Sequence, residues 1–348
     1  MESVVTDFLF QYGLFLAKTV TLVAAVVLAA AGFFALLREA RDHGHDRLEI
    51  RNINERYESM ADTLNHELLQ EAEIKQLHKQ RKAEEKARQK VARQGHQPPR
   101  PRVFALSFDG DLNASPVESL REEISAVLQV ARKEDEVLLK LESEGGLVHA
   151  YGLAASQLTR IRDRKIRLTV AVDKVAASGG YLMACVADRI LAAPFAILGS
   201  IGVVAQLPNF HRLLKKNEVD FELHTAGQYK RTLTLFGENT DEARSKFREE
   251  LEDTHALFKA FVIENRPTLD IEKVATGEHW FGTRALSLRL VDEIKTSDDY
   301  LLDRSREADI YEVKYRRRQS LSDRLSGGLL KLGLGLRSGI EKAWPRAI

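Results

Sequence analysis

The most reactive-looking arrangement in the chain is Ala177-Ser178-Gly179-Gly180, which closes the segment 173–180 (DKVAASGG) directly after an apolar run ending at Val172. Ser178 sits where a helix would begin. The glycines after it let backbone amides turn toward a ligand, so the amide of Gly179 is a candidate donor to an oxyanion formed when Ser178 attacks a carbonyl. A second glycine pair closes Glu142-Ser143-Glu144-Gly145-Gly146, after the apolar run ending at Leu141. An amide of Gly145 or Gly146 is the candidate second donor. The same serine and glycines also read as a helix N-cap with a glycine turn. A serine nucleophile needs a base, and the usual base is histidine. His149 opens a helix, while His211 and His224 lie in polar surroundings, which suits a structural or surface role. A desolvated lysine is the alternative, its neutral amine accepting the proton. Composition does not choose one lysine among many.

Both glycine loops must be held by something regular. Residues 103–108 read as a strand, 117–131 as a helix, 137–141 as a buried strand, 151–162 as a helix and 166–172 as the next strand. This alternation predicts an α/β domain with a largely parallel sheet. Ligands of such sheets bind beyond the carboxyl ends of the strands, where the two glycine loops fall. Lys and Arg total 52 against 51 Asp and Glu in 348 residues, a net charge of +1 that gives no case for a nucleic-acid partner. The single cysteine, Cys185, excludes an intrachain disulfide and lacks the companions of a zinc site.

Ahead of this domain, the stretch 19–37 (TVTLVAAVVLAAAGFFALL) carries no charge. A bilayer needs about 20 apolar residues, so residues 8–37 are expected to form an uncleaved, single-pass transmembrane anchor. The acidic Glu2 and Asp7 do not fit the basic start of a signal peptide. Arg38 and Arg41 directly after the span place the main domain in the cytosol by the positive-inside rule. Residues 38–102 contain little that could nucleate a sheet and read as a charged helical stalk, with Lys75, Lys79, Arg81, Lys82, Lys86, Arg88 and Lys90 as an alternative contact to anionic lipid. The stretch 97–101 (QPPRP) breaks that helix. Residues 311–348 form a basic tail whose leucines among glycines suit a membrane surface or an oligomer contact.

Residues 103–294 resemble the signal peptide peptidase A group of serine peptidases, peptidase family S49, and most closely its SohB branch. The resemblance rests on Phe108-Asp109-Gly110-Asp111, the ESEGG loop, Ala177-Ser178-Gly179-Gly180-Tyr181, Gly199-Ser200-Ile201-Gly202-Val203, and Ala226-Gly227-Gln228-Tyr229-Lys230-Arg231-Thr232. The stretch 280–285 (WFGTRA) and Leu290-Val291-Asp292 complete the series. It implies a ClpP/crotonase-like domain at 103–310, Ser178 as acylating nucleophile, Lys230 as general base, and Gly146 and Gly179 in the oxyanion hole. It further implies a serine endopeptidase that needs no metal or organic cofactor and acts on signal-peptide-like or membrane-associated peptides. A homo-oligomeric ring is implied as well, one in which serine and lysine can come from neighbouring subunits. Glu144 departs from the pattern, because many relatives carry proline before the two glycines. Relatives that process signal peptides work on the outer face of the bacterial inner membrane, so the resemblance implies a periplasmic catalytic domain against the flanking arginines. Two other readings use the same features: a crotonase-like acyl-CoA enzyme, and a non-enzymatic membrane scaffold.

Overall fold

The computed structural model describes residues 12–27, 46–93 and 100–317. In chain order the first elements are helix α1 (12–27), strand β1 (Arg47–Asn52), and helices α2 (Ile53–Leu68) and α3 (Glu71–Arg93). Next come β2 (Arg102–Gly110), α4 (Val117–Val130), β3 (Glu136–Ser143), α5 (Val148–Asp163), β4 (Arg167–Val172), β5 (Val175–Ala177) and α6 (Gly179–Ala184). The chain continues through β6 (Arg189–Ala192), β7 (Ile197–Gly199), α7 (His211–Lys216), α8 (Asp241–Asn265) and α9 (Ile271–Val274). It closes with β8 (His279–Phe281), α10 (Gly282–Ser287), β9 (Glu293–Ile294), α11 (Ser297–Ser305) and β10 (Asp309–Arg316).

The main sheet runs β1-β10-β2-β3-β4-β6-β9, and its pairs from β10 to β9 are parallel. Its central strands read as nearly unbroken apolar runs because both faces are covered. Alternation along β3 divides the core: Val137, Leu139 and Leu141 join the cluster containing Phe108, Ile124 and Tyr151, while Leu138 faces Tyr300, Leu301 and Ile310 on the other side. A smaller layer branches off, with β5 parallel to β7 and touching the end of β3, and β7 antiparallel to β8. The expected α/β class and all five predicted elements between 103 and 172 are present.

The region ahead of β2 differs from expectation. Residues 47–52 form an edge strand within 38–102, where the sequence reads as a helical stalk with little to nucleate a sheet. β1 carries only two apolar residues and stays mostly exposed, so pairing to β10 holds it, and burial leaves no hydrophobic signal in its sequence. Asn52 caps α2 through its side chain, and Asn54 then docks that helix. The Asn54 carboxamide accepts from the Ile310 amide at 2.7 Å and donates to the carbonyls of Ser305 and Ala308 at 2.9 and 3.0 Å. α3 is tied back to α2 by Arg81 on Asp62 at 2.5 Å, which makes a helical hairpin out of the expected stalk.

α1 belongs to a separate unit (Met1–Arg47, Arg316–Ile348) from the domain Leu48–Tyr315. It is exposed along its length, and no helix among the described residues is long and apolar enough to cross a membrane. Most of the expected span at 19–37, the break at 97–99 and the tail from 318 onward lie outside the described residues, while residues 311–316, expected in the tail, instead complete strand β10, whose pairing with β2 and buried Val313 hold them in the sheet.

Glu123, on the buried face of α4, accepts the Tyr315 amide at 2.8 Å, while its Oε2 has no hydrogen-bond partner among the described residues. Burial pushes its carboxyl up to about 7, against the pull of the Tyr315 amide and Lys314. The folded value thus exceeds the unfolded one of about 4.3, so the fold favours the protonated acid. The sign follows: this contribution is complete below about pH 4 and is lost as pH rises through about 7. Glu123→Gln keeps the acceptor and removes the charge. It is expected to stabilise the domain by about 1–3 kcal/mol at pH 8 and by almost nothing at pH 4.5. Urea unfolding at the two pH values checks this, and an equal effect at both would remove the explanation.

Candidate active site

Ser178 occupies the turn between β5 and α6 with φ 51 and ψ −118, a backbone conformation that a residue with a Cβ avoids. Such strain persists only where the surroundings enforce it. Here the Ser178 amide donates to the Gly199 carbonyl at 2.8 Å, and its carbonyl accepts from Leu182 at 3.0 Å. Pairing of β5 with β7 sets Ala177 opposite Gly199, which delivers that carbonyl. The result is a sharp strand-to-helix elbow with a half-buried hydroxyl at its tip. Short strand β5 lies inside the segment read from sequence as a loop.

The Glu142–Leu147 loop packs directly on this elbow. A Cβ on Gly145 would lie 2.7 Å from the Gly179 nitrogen and 2.8 Å from the Ser178 Cβ. One on Gly146 would fall 2.1 Å from the Leu112 carbonyl oxygen, and Leu147 donates to that same carbonyl at 2.9 Å. The Gly145 amide is already taken, donating to Ser143 Oγ at 3.0 Å. Ser143 Oγ lies 2.5 Å from Tyr151 Oη, and Tyr151 donates to the Asp111 carbonyl at 2.7 Å. A continuous hydrogen-bonded chain therefore runs from the Gly145 amide to the Asp111 carbonyl, with each hydroxyl both accepting and donating. Tyr151 is fully buried, and a Cβ on Gly179 would meet its ring at 2.4 Å. The sequence reading gave Tyr151 no role beyond starting a helix.

Ser178, Gly179 and Gly146 line one cavity of about 340 Å³, whose other walls include Val203, Leu257, Phe258 and Phe261. Gly202 and Val203 of the 199–203 turn reach it, while Gly199 pins Ser178 from behind. Among the described residues, the cavity lining has no histidine, lysine or carboxylate. Lys230 is exposed in the segment between α7 and α8 and does not line the cavity in this single chain. His149 and His224 are exposed, and the His224 ring pairs with Glu222 at 3.2 Å. Tyr181 and Cys185 are core residues: the phenol donates to the Leu290 carbonyl at 2.9 Å, and burial pushes the thiol up to about 12.

An α/β domain with a strained serine elbow and an adjoining glycine loop at the carboxyl ends of parallel strands has the build of an acyl-transferring hydrolase. The sequence matches the family descriptions "Peptidase family S49 N-terminal" over residues 7–158 and "Peptidase family S49" over residues 160–310. The chain belongs to peptidase family S49. Among curated relatives, the probable protease SohB of Haemophilus influenzae is 51% identical over 90% of this chain and 91% of its own length. The probable protease SohB of Buchnera aphidicola subsp. Schlechtendalia chinensis is 50% identical over 86% of this chain and 100% of its own. A solved structure titled as a variant of the 1510-N membrane-bound stomatin-specific protease with a substrate peptide superposes with a TM-score of 0.41 at 13% identity. It covers 67% of this chain and 99% of that one.

Proposed function

We propose that this S49 peptidase is a membrane-anchored serine endopeptidase with a ClpP/crotonase-like catalytic domain, working through a Ser178/Lys230 dyad. The observation that carries the reading is the left-handed Ser178 elbow opening into an apolar cavity beside Gly146 and Gly179. Ser178 Oγ attacks a peptide carbonyl as Lys230 takes its proton, and the ammonium so formed protonates the departing amine. Water then releases the acyl group with Lys230 again as base. Gly179, as the first residue of α6, has an amide with no intrahelical acceptor. Because Ser143 occupies the Gly145 amide, Gly146 is the better second oxyanion donor.

The missing base supports an assembly. With no titratable base in the cavity lining, Lys230 has to be delivered by a neighbouring subunit or by repacking of its own segment. Helix α7 and the chain on either side of it expose Val204, Leu207, Leu213, Phe221 and Tyr229, apolar side chains suited to a subunit contact. Packing there would also desolvate the amine and favour its neutral form. An anchor at 8–37 completes the proposed division of the chain, with the domain Leu48–Tyr315 on the periplasmic side of the bacterial inner membrane. Substrates are then peptides held near the bilayer.

A fluorophosphonate probe on the purified full-length protein tests this, alongside casein cleavage. Label and cleavage are expected in wild type, with both lost in Ser178→Ala and Lys230→Ala at unchanged assembly. Cleavage surviving in Ser178→Ala would end the mechanism. An assembled wild type that neither labels nor cleaves would favour a scaffold.

A further inference from the structure

α5 and α8 face each other across the cavity, α5 through Gly152 and Ala155 and α8 through Leu257, Phe258 and Phe261. Gly152 is the anomaly in this wall. It lies inside helix α5, where glycine costs about 1 kcal/mol relative to alanine. Two structural reasons ordinarily justify such a glycine: a left-handed backbone, or a neighbour too close for a Cβ. Neither holds here. Gly152 is absent from the positive-φ residues, and a Cβ built on it meets no atom within 4 Å. At Gly146 and Gly179, by contrast, a Cβ would collide with the Leu112 carbonyl and the Tyr151 ring. The fold places no demand for glycine at 152, and the empty space beyond its Cα is the cavity beside Ser178.

We infer that Gly152 is a specificity-determining residue, which keeps the cavity deep enough for a large apolar side chain on the acyl side of the scissile bond. This rests on Ser178 as the nucleophile. A cavity of roughly 150 Å³ lined by aliphatic and aromatic side chains is enough for benzene. About 340 Å³ therefore admits a leucine or phenylalanine side chain with part of its flanking peptide. The walls offer such a side chain apolar contact from Val203, Leu257, Phe258 and Phe261, and no charge to pair with. A branched side chain at position 152 would fill this space from the α5 side without touching Ser178's own hydrogen bonds.

The test compares full-length wild type, Gly152→Ala and Gly152→Leu on peptides that differ only in alanine, leucine or phenylalanine before the cleaved bond. Wild type is expected to prefer leucine and phenylalanine. Gly152→Leu should lower kcat/KM for those two by about tenfold or more relative to alanine, the range that pocket shape commands. Gly152→Ala, free of any folding risk, should shift the ratio in the same direction by a few fold and raise Tm. Fluorophosphonate labelling of Ser178 is read in the same samples. Labelled variants whose leucine-to-alanine ratio matches wild type overturn the inference alone, as does an equal fall on all three peptides. A wild type that cleaves without labelling at Ser178 overturns the catalytic reading, and the inference with it.

Discussion

Gly146→Ala is expected to lower kcat by about 10²–10³ fold, the usual cost of removing one oxyanion donor. The added methyl would lie 2.1 Å from the Leu112 carbonyl oxygen, and that carbonyl is held in place by the Leu147 amide. Backbone cannot yield as a flexible side chain would, so the loop itself must move, taking the Gly146 amide away from Ser178. The elbow is pinned separately, through Gly199 and Leu182, and keeps its shape. Single-turnover kinetics should show slow acylation with KM little changed, because the interaction belongs to the transition state. A kcat within a few fold of wild type, in folded protein, would transfer the donor role away from Gly146.

The largest expected loss of stability is in Arg266→Ala, about 1–3 kcal/mol, because a buried guanidinium and its charge-assisted hydrogen bonds are removed from a partly exposed carboxylate. Arg266 ends α8 and is 8% exposed. Its guanidinium donates to both oxygens of Asp292 at 2.8 and 2.7 Å and to the Arg289 carbonyl at 3.1 Å. Asp292 in turn accepts the Ile190 amide at 2.7 Å, which fastens the end of α8 to strand β6. Without the arginine, the Arg289 carbonyl loses this partner and the Asp292 carboxylate keeps only the Ile190 amide and solvent. Urea unfolding of Arg266→Ala beside Arg266→Lys measures the loss, and a change below about 1 kcal/mol would show that α8 is held by its apolar contacts alone. Because α8 forms one wall of the cavity, the same variant should also broaden selectivity before the cleaved bond.

The sequence made the central sheet readable because β2, β3 and β4 are covered on both faces and spell apolar runs of strand length. Ser178 and its glycines were readable because the turn needs small residues just after a strand. β5, β7 and β8 are three-residue strands, too short for any periodicity to register. The Ser143-Tyr151-Asp111 chain joins the end of β3, helix α5 and the turn after β2, which no local pattern reports. The α8 wall does leave a mark in the sequence. Thr254, Leu257, Phe258 and Phe261 stand at i, i+3, i+4 and i+7, the spacing of one helix face, in a segment otherwise dominated by charge. For Lys230, motif similarity names the residue, while a single chain does not bring it to the serine.

The pairing of β1 with β10 has a topological consequence. Asn54, two residues past the end of β1, binds Ile310 at the start of β10, so the two strands run in opposite directions. The start of β1 and the end of β10 consequently lie side by side at one edge of the sheet, and because β10 is parallel to β2 and β3 they lie at the same end of the strands as the Ser178 loops, with β2 between β10 and β3. A short polar bridge from the end of β10 to the start of β1, kept at this outer edge and with new termini opened in an exposed turn at the opposite end of the strands, would give a circular permutant with the same sheet order and the serine elbow kept. The polypeptide's direction of travel through this domain is thus separable from its catalytic geometry.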